Sequence, residues 1–179
     1  MADRLPKNAV GAEIGVFRGD YTQVLLDRTQ PSRLWLIDPW RIVQASGYRE
    51  ALYSAATTTQ ADMDLMHASV VARFSAEIAG GRVVVERACS DTALARLPDG
   101  ALDWVYIDGD HTHAGTMCDL VLSARKVPVG GFIVGDDYML GGWWKGGVLT
   151  ALHQFLHAQA GAWIIELVLG SQYMLRRTA

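Results

Sequence analysis

Apolar residues come in short runs along this chain, separated by stretches whose apolar positions repeat at helical spacing. "AVGAEIGVF" (Ala9–Phe17) reads as a buried strand entering a glycine turn, and "DYTQVLLDRT" (Asp20–Thr29) as the helix after it. "SRLWLIDPW" is a second strand, stopped by Pro39. From Arg41 to Gly80 the pattern is mostly helical, with a polar break at "TTTQAD". "GRVVVERACS" predicts a third strand, Asp91–Leu97 a short helix, and "ALDWVYIDGD" a fourth strand. The amphipathic "AGTMCDLVLSARKV" follows, then "GGFIVGDDY" as a fifth strand and "GGVLTALHQFLHAQAG" as a helix ended by Gly161.

Strands alternating with helices imply parallel pairing through right-handed crossovers, hence an α/β architecture. The C-terminus breaks the alternation. "AWIIELVLGSQYMLRR" holds two apolar strands joined by "GSQ", with no room for a helix between them. That is a hairpin, so the last strand runs antiparallel to its neighbour. The expected organisation is one domain over residues 1–179, with a helical insertion at about 41–80 that covers the site or meets a second subunit.

Half of the 179 residues are apolar and a fifth are charged, which suits an ordered globular protein. A net charge of −3 gives no electrostatic reason to expect a nucleic-acid partner. Cys89 and Cys118 are too few for a disulfide framework and fit a reducing compartment. No apolar run approaches the ~20 residues of a membrane span. "MADRLPKNAV" lacks the hydrophobic stretch of a signal peptide, so no membrane partner and a cytoplasmic location are expected.

In open α/β sheets, ligands bind beyond the carboxyl ends of the strands, so the residues there are the candidates. After the first strand, Gly15 and Gly19 in "EIGVFRGD" allow a tight turn and close approach of backbone to a ligand. This spacing lacks the Gly-x-Gly-x-x-Gly phosphate cradle. After the second, Asp38 is placed to accept ribose hydroxyls or to start an Asp-Pro turn. After the third, Ser90 faces a bound adenine, or it or Asp91 caps the next helix. After the fourth and fifth come Asp108, Asp110, Asp136 and Asp137, with no basic residue within "DGDHTH" or "GDDY". A divalent cation such as Mg²⁺, Mn²⁺ or Ca²⁺ would relieve their repulsion. The alternative is that one acid caps a helix and the others stay solvated.

"GAEIGVFRGDYT", "LIDPW", "DWVYIDGDHTHAG" and "PVGGFIVGDDY", in that order, resemble the class I S-adenosylmethionine-dependent methyltransferases. The closest resemblance is to the small-molecule O-methyltransferases of the catechol and macrolide-sugar type. It implies a Rossmann-like, doubly wound, seven-stranded sheet, mostly parallel with an antiparallel C-terminal strand. It also implies S-adenosyl-L-methionine as cofactor, held by Glu13, Gly15, Val16, Phe17, Arg18, Gly19, Thr22, Asp38, Ser90 and Asp108. In metal-dependent members Mg²⁺ sits on the positions of Asp108, Asp136 and Asp137. The catechol-type lysine is replaced by His111, and Asp110 matches the suspected base of the sugar-modifying members. Asp110 and His111 are therefore the catalytic candidates, with His111 equally readable as a surface turn residue.

The implied partner is a small-molecule acceptor carrying a hydroxyl, and a homo-oligomer is compatible with the insertion. Trp143 and Trp144, in "GGWWKGG", read as a lid or aromatic wall over the acceptor, or as core packing. Two rival classes are a nicotinamide-dependent oxidoreductase and a non-catalytic nucleoside-binding module. The missing phosphate cradle and the closing hairpin count against the first, the retained acids against the second.

Overall fold

A computed structural model describes residues Met1–Ala179. Seven strands form one sheet: β1 (Val10–Ile14), β2 (Arg33–Ile37), β3 (Val83–Glu86), β4 (Trp104–Ile107), β5 (Phe132–Gly135), β6 (Trp163–Leu169) and β7 (Gln172–Arg177). Their spatial order is β3-β2-β1-β4-β5-β7-β6. The first five pair in parallel, and β7 slots antiparallel between β5 and β6. This is the Rossmann-like arrangement expected from the alternation and the terminal hairpin.

Period-2 side-chain alternation splits the core in two. Val105 and Ile107 of β4 face α4 (Ser90–Ala95), α5 (His113–Lys126) and α6 (Gly147–Ala158), packing with Leu94, Leu120 and Leu152. Trp104 and Tyr106 of the same strand face the other layer, where α1 (Asp20–Thr29), α2 (Gln60–Arg73) and α3 (Ser75–Ala79) contribute Leu25, Met63, Val70 and the partly buried Ile78. Burying a leucine or isoleucine there stabilises the fold by about 1.5–3 kcal/mol per side chain.

The 41–80 insertion is helical only in its second half. Arg41–Thr59 forms an irregular arm with a single 3-10 turn at Ser46–Tyr48 and a short bridge between Val43 and Ser54. Gly47 and the β-branched run Thr57–Thr59 weaken a helix here, and local turn bonds satisfy the backbone instead. The helix begins where Thr59 and Asp62 close a reciprocal capping box. No helix is long and apolar enough to cross a membrane.

Candidate active site

The sheet's strand order reverses between β1 and β4, and a cavity of about 650 Å³ opens over the carboxyl ends there. Its floor is the β1 turn. Gly15 sits at φ +86°, and a Cβ on it would lie 2.1 Å from the Asp108 carbonyl oxygen, so only glycine lets the ends of β1 and β4 meet. Phe17, at φ +49°, and Trp40, at φ +40°, share the left-handed region rare for bulky residues.

Asp38 holds that strained turn. Its Oδ2 accepts the Val16 and Phe17 amides at 2.9 Å each, and its Oδ1 accepts the Trp40 amide at 2.7 Å. The Trp40 indole returns a bond to the Phe17 carbonyl at 2.8 Å. Asp38 thus starts the Asp-Pro turn and still lines the cavity, with one lone pair left on Oδ1 for a ligand hydroxyl. Burial pushes its carboxyl up, against the three amides.

Glu13, the penultimate residue of β1, is fully buried, and the Thr22 hydroxyl is its hydrogen-bond donor. Burial raises its pKa to about 8; the Thr22 bond opposes this, and Asp108 and Asp38 add to it. Thr22 supports Glu13 from behind and does not line the cavity, and neither does Gly19, which packs toward Phe74. Val16, Phe17 and Arg18 do line it, as do Ser90 and Asp108.

At the far end stand the β4 and β5 termini. His111 Nε2 lies 3.2 Å from Asp137 Oδ2 and 4.0 Å from Asp108 Oδ1, and one ligand atom from each of the three falls within 4.8 Å of the others. Burial, Asp136 and Asp137 together raise the Asp108 pKa to about 8. Burial lowers His111, partly offset by Asp137, Asp110 and Asp136.

Asp136 departs from the expected trio of metal-ligand acids. It accepts from Ser171 Oγ at 2.6 Å, the Asp137 amide at 2.8 Å, Gln172 Nε2 at 3.2 Å and Tyr106 Oη at 3.3 Å. Burial works to raise this carboxyl, but those four donors outweigh it and hold it below the usual range. The cavity wall carries Asp137 and His111 instead. Asp137, at φ +58°, is turned by the backbone away from its neighbour's direction.

Sequence reasoning missed three residues. Tyr48, on the arm, donates to Asp110 Oδ2 at 2.8 Å, while the Thr112 amide holds Oδ1 at 2.9 Å. Tyr21 stacks on Tyr106 with centroids 4.2 Å apart and borders the cavity. Asp119 of α5 is buried and accepts the Ser90 hydroxyl. An acid on the buried stripe of Thr116, Leu120 and Ser123 was a legible signal for Asp119. The arm residues carried none. Trp143 forms an aromatic wall with Tyr48 and Tyr53, at 5.3 and 6.1 Å, while Trp144 packs edge-on against His111 at 5.1 Å.

A family described as a methyltransferase domain matches residues 12–138, a span that contains every element bordering this cavity. The chain belongs to that family. Solved structures share the fold across nearly its whole length. A candidate rRNA methylase from Clostridium thermocellum superposes with TM-score 0.68 at 11% identity, covering 98% of this chain and 89% of its own. The O-methyltransferase NovP gives 0.62 at 19%, covering 99% and 74%. The 1,6-didemethyltoxoflavin-N1-methyltransferase of Burkholderia thailandensis, solved with S-adenosylhomocysteine, gives 0.60 at 14%, covering 97% and 72%. No curated protein sequence matches the chain.

This methyltransferase is of the S-adenosylmethionine-dependent class I type, and its cavity suits that cofactor. Glu13 is a buried acid with a hydroxyl but no cation beside it, which a ligand ammonium would complete. Asp38 keeps an acceptor site for a ribose hydroxyl, and the cavity volume falls within the usual range for small-molecule pockets.

Proposed function

We propose that this methyltransferase transfers the methyl group to a hydroxyl of a small molecule, with help from a divalent cation. The convergence of Asp108, Asp110, His111 and Asp137 at one end of the cofactor cavity carries this reading. When bound, S-adenosylmethionine supplies a methyl group already activated on a sulfonium. The protein's tasks are then to orient the acceptor and accept its proton.

Asp108, Asp137 and His111 would hold the cation. Two carboxylates and an imidazole suit Mn²⁺ better than Mg²⁺, which favours an all-oxygen shell, and Asp108 takes no hydrogen bond from the chain that would compete. A divalent ion there would lower the pKa of an acceptor hydroxyl. Asp110, held by Tyr48 and the Thr112 amide, has lone pairs free to take the proton. Trp143, Tyr48 and Tyr53 close the acceptor end against water.

The test is transfer from radiolabelled S-adenosylmethionine to a panel of sugar, phenolic and polyketide hydroxyls and their amine counterparts, run with EDTA, Mg²⁺ or Mn²⁺. Labelling stimulated by metal supports the reading. Equal transfer in EDTA rejects the cation, label on amines alone rejects the hydroxyl, and cofactor binding with no transfer to any panel favours a non-catalytic module.

A further inference from the structure

The two edges of the sheet are built differently. β3, at one end, is four residues long, and its rim is charged: Arg82 pairs with Glu77 at 3.1 Å and Arg96 with Glu86 at 2.9 Å. Short strands and charges keep an edge from pairing with another chain. β6, at the other end, runs seven residues as "WIIELVL", with no lysine or proline to guard it.

Four of the chain's twelve exposed large hydrophobic side chains lie on this one strand: Ile164 at 40%, Ile165 at 38%, Val168 at 43% and Leu169 at 59%. They point to both faces. Ile165 and Val168 pair with Leu175 and Tyr173 of β7, which belong to the α4–α6 layer. Ile164 and Leu169 share the opposite face with Leu167, which packs with Met174 in the α1–α3 layer. Neither helical layer reaches far enough to cover them, and the outer N–H and C=O groups of β6 have no strand beside them.

An occupant of this edge must be a strand that is apolar on both faces and brings no unpaired charge. β6 of a second copy meets each condition. Glu166, the bulged residue and the strand's one charge, is tied to Arg176 at 2.8 Å, so two copies meet without net charge. We propose that β6 is a self-recognition edge through which two copies of this chain pair into one continuous sheet. Antiparallel pairing about a twofold axis perpendicular to the sheet carries each face of one copy into the same face of the other. Ile165 and Val168 then meet their counterparts on the α4–α6 side, and Ile164 and Leu169 meet theirs on the α1–α3 side.

Sedimentation velocity of the full chain across the micromolar range tests this. A contact one strand wide is small for a specific interface, so a monomer–dimer equilibrium with micromolar dissociation is expected. Ile164→Lys and Ile165→Lys, one on each face, should each raise the dissociation constant about 100-fold, because like charges would be brought together across the axis. Leu65→Lys, exposed on α2, should leave it unchanged. Hydrogen exchange of the wild type gives a second readout that needs no variant to fold: the β6 amides should slow as concentration rises through the dissociation constant. A monomer at every concentration overturns the proposal. So does a dimer that survives both β6 variants or leaves β6 exchange unchanged, and open-ended assembly in place of a dimer rejects the twofold pairing.

Discussion

The Tyr48 hydroxyl donates to Asp110 Oδ2 at 2.8 Å, joining two residues 62 positions apart across the mouth of the cavity. The arm after β2 thereby orients an acid at the end of β4. Tyr48→Phe should lower kcat by about ten-fold while leaving S-adenosylhomocysteine affinity unchanged, because only the aim of Asp110 is disturbed. Steady-state kinetics beside calorimetry would show it. A matching loss of cofactor affinity would mean that the arm holds the cofactor instead.

The two adjacent acids after β5 should behave differently. Asp108→Asn, His111→Ala and Asp137→Asn are each expected to weaken Mn²⁺ binding more than about 100-fold, whereas Asp136→Asn should change it at most about ten-fold. Asp136→Asn should instead lower folding stability by about 1–3 kcal/mol, since its four donors lose a charged acceptor. Mn²⁺ titration followed by electron paramagnetic resonance, paired with thermal melts, separates the two effects.

Glu13 makes ligand-free stability depend on pH. Its carboxyl titrates near 4.5 unfolded and about 8 folded, so between these values the folded state binds more protons than the unfolded one. Its contribution is full below pH 4.5 and is lost as pH rises through 8. Glu13→Gln should remove this part of the slope and raise the ligand-free melting temperature at pH 8 by roughly 5 °C. The same variant should bind S-adenosylhomocysteine more weakly, because a ligand ammonium favours the ionised acid. Melts from pH 5 to 9, with and without ligand, check both signs.

Gly15→Ala should cost more than about 2 kcal/mol and abolish cofactor binding. The new methyl meets the Asp108 carbonyl, and the φ of +86° is unfavourable for alanine. Gly100→Ala, at φ +75° but in open space, is the control. It should lose only the backbone part, about 1 kcal/mol, and keep full binding.

The five strand–helix units and the closing hairpin were legible because β1, β2, β4 and β5 lie inside the sheet and β3, at its edge, keeps an apolar run. Strands such as "WVYI" must be apolar throughout to be buried on both faces, and a short Gly-Ser link between two strands leaves only the antiparallel choice. Glu13, Asp38, Ser90, Asp108 and Asp137 were legible for a related reason: Glu13 is the penultimate residue of β1 and the others follow strands, where the topology collects ligands. The arm was not, because its order comes from long-range partners. Val43 meets Ser54, and Tyr48 meets Asp110 and Trp143, contacts that leave no periodic trace.

By itself the chain's order of residues determined the sheet, the cofactor end of the cavity and the presence of four acids at two neighbouring strand ends. The tertiary structure alone decided which of them face inward. Asp136 and Asp137 are equivalent as adjacent letters. Ser171 and Gln172, at the turn into β7, supply donors that draw Asp136 aside, and a left-handed residue at Asp137 swings the second carboxylate toward His111. That choice depends on hydrogen bonds from a hairpin 35 and 36 residues further along, which only the closed sheet brings into reach.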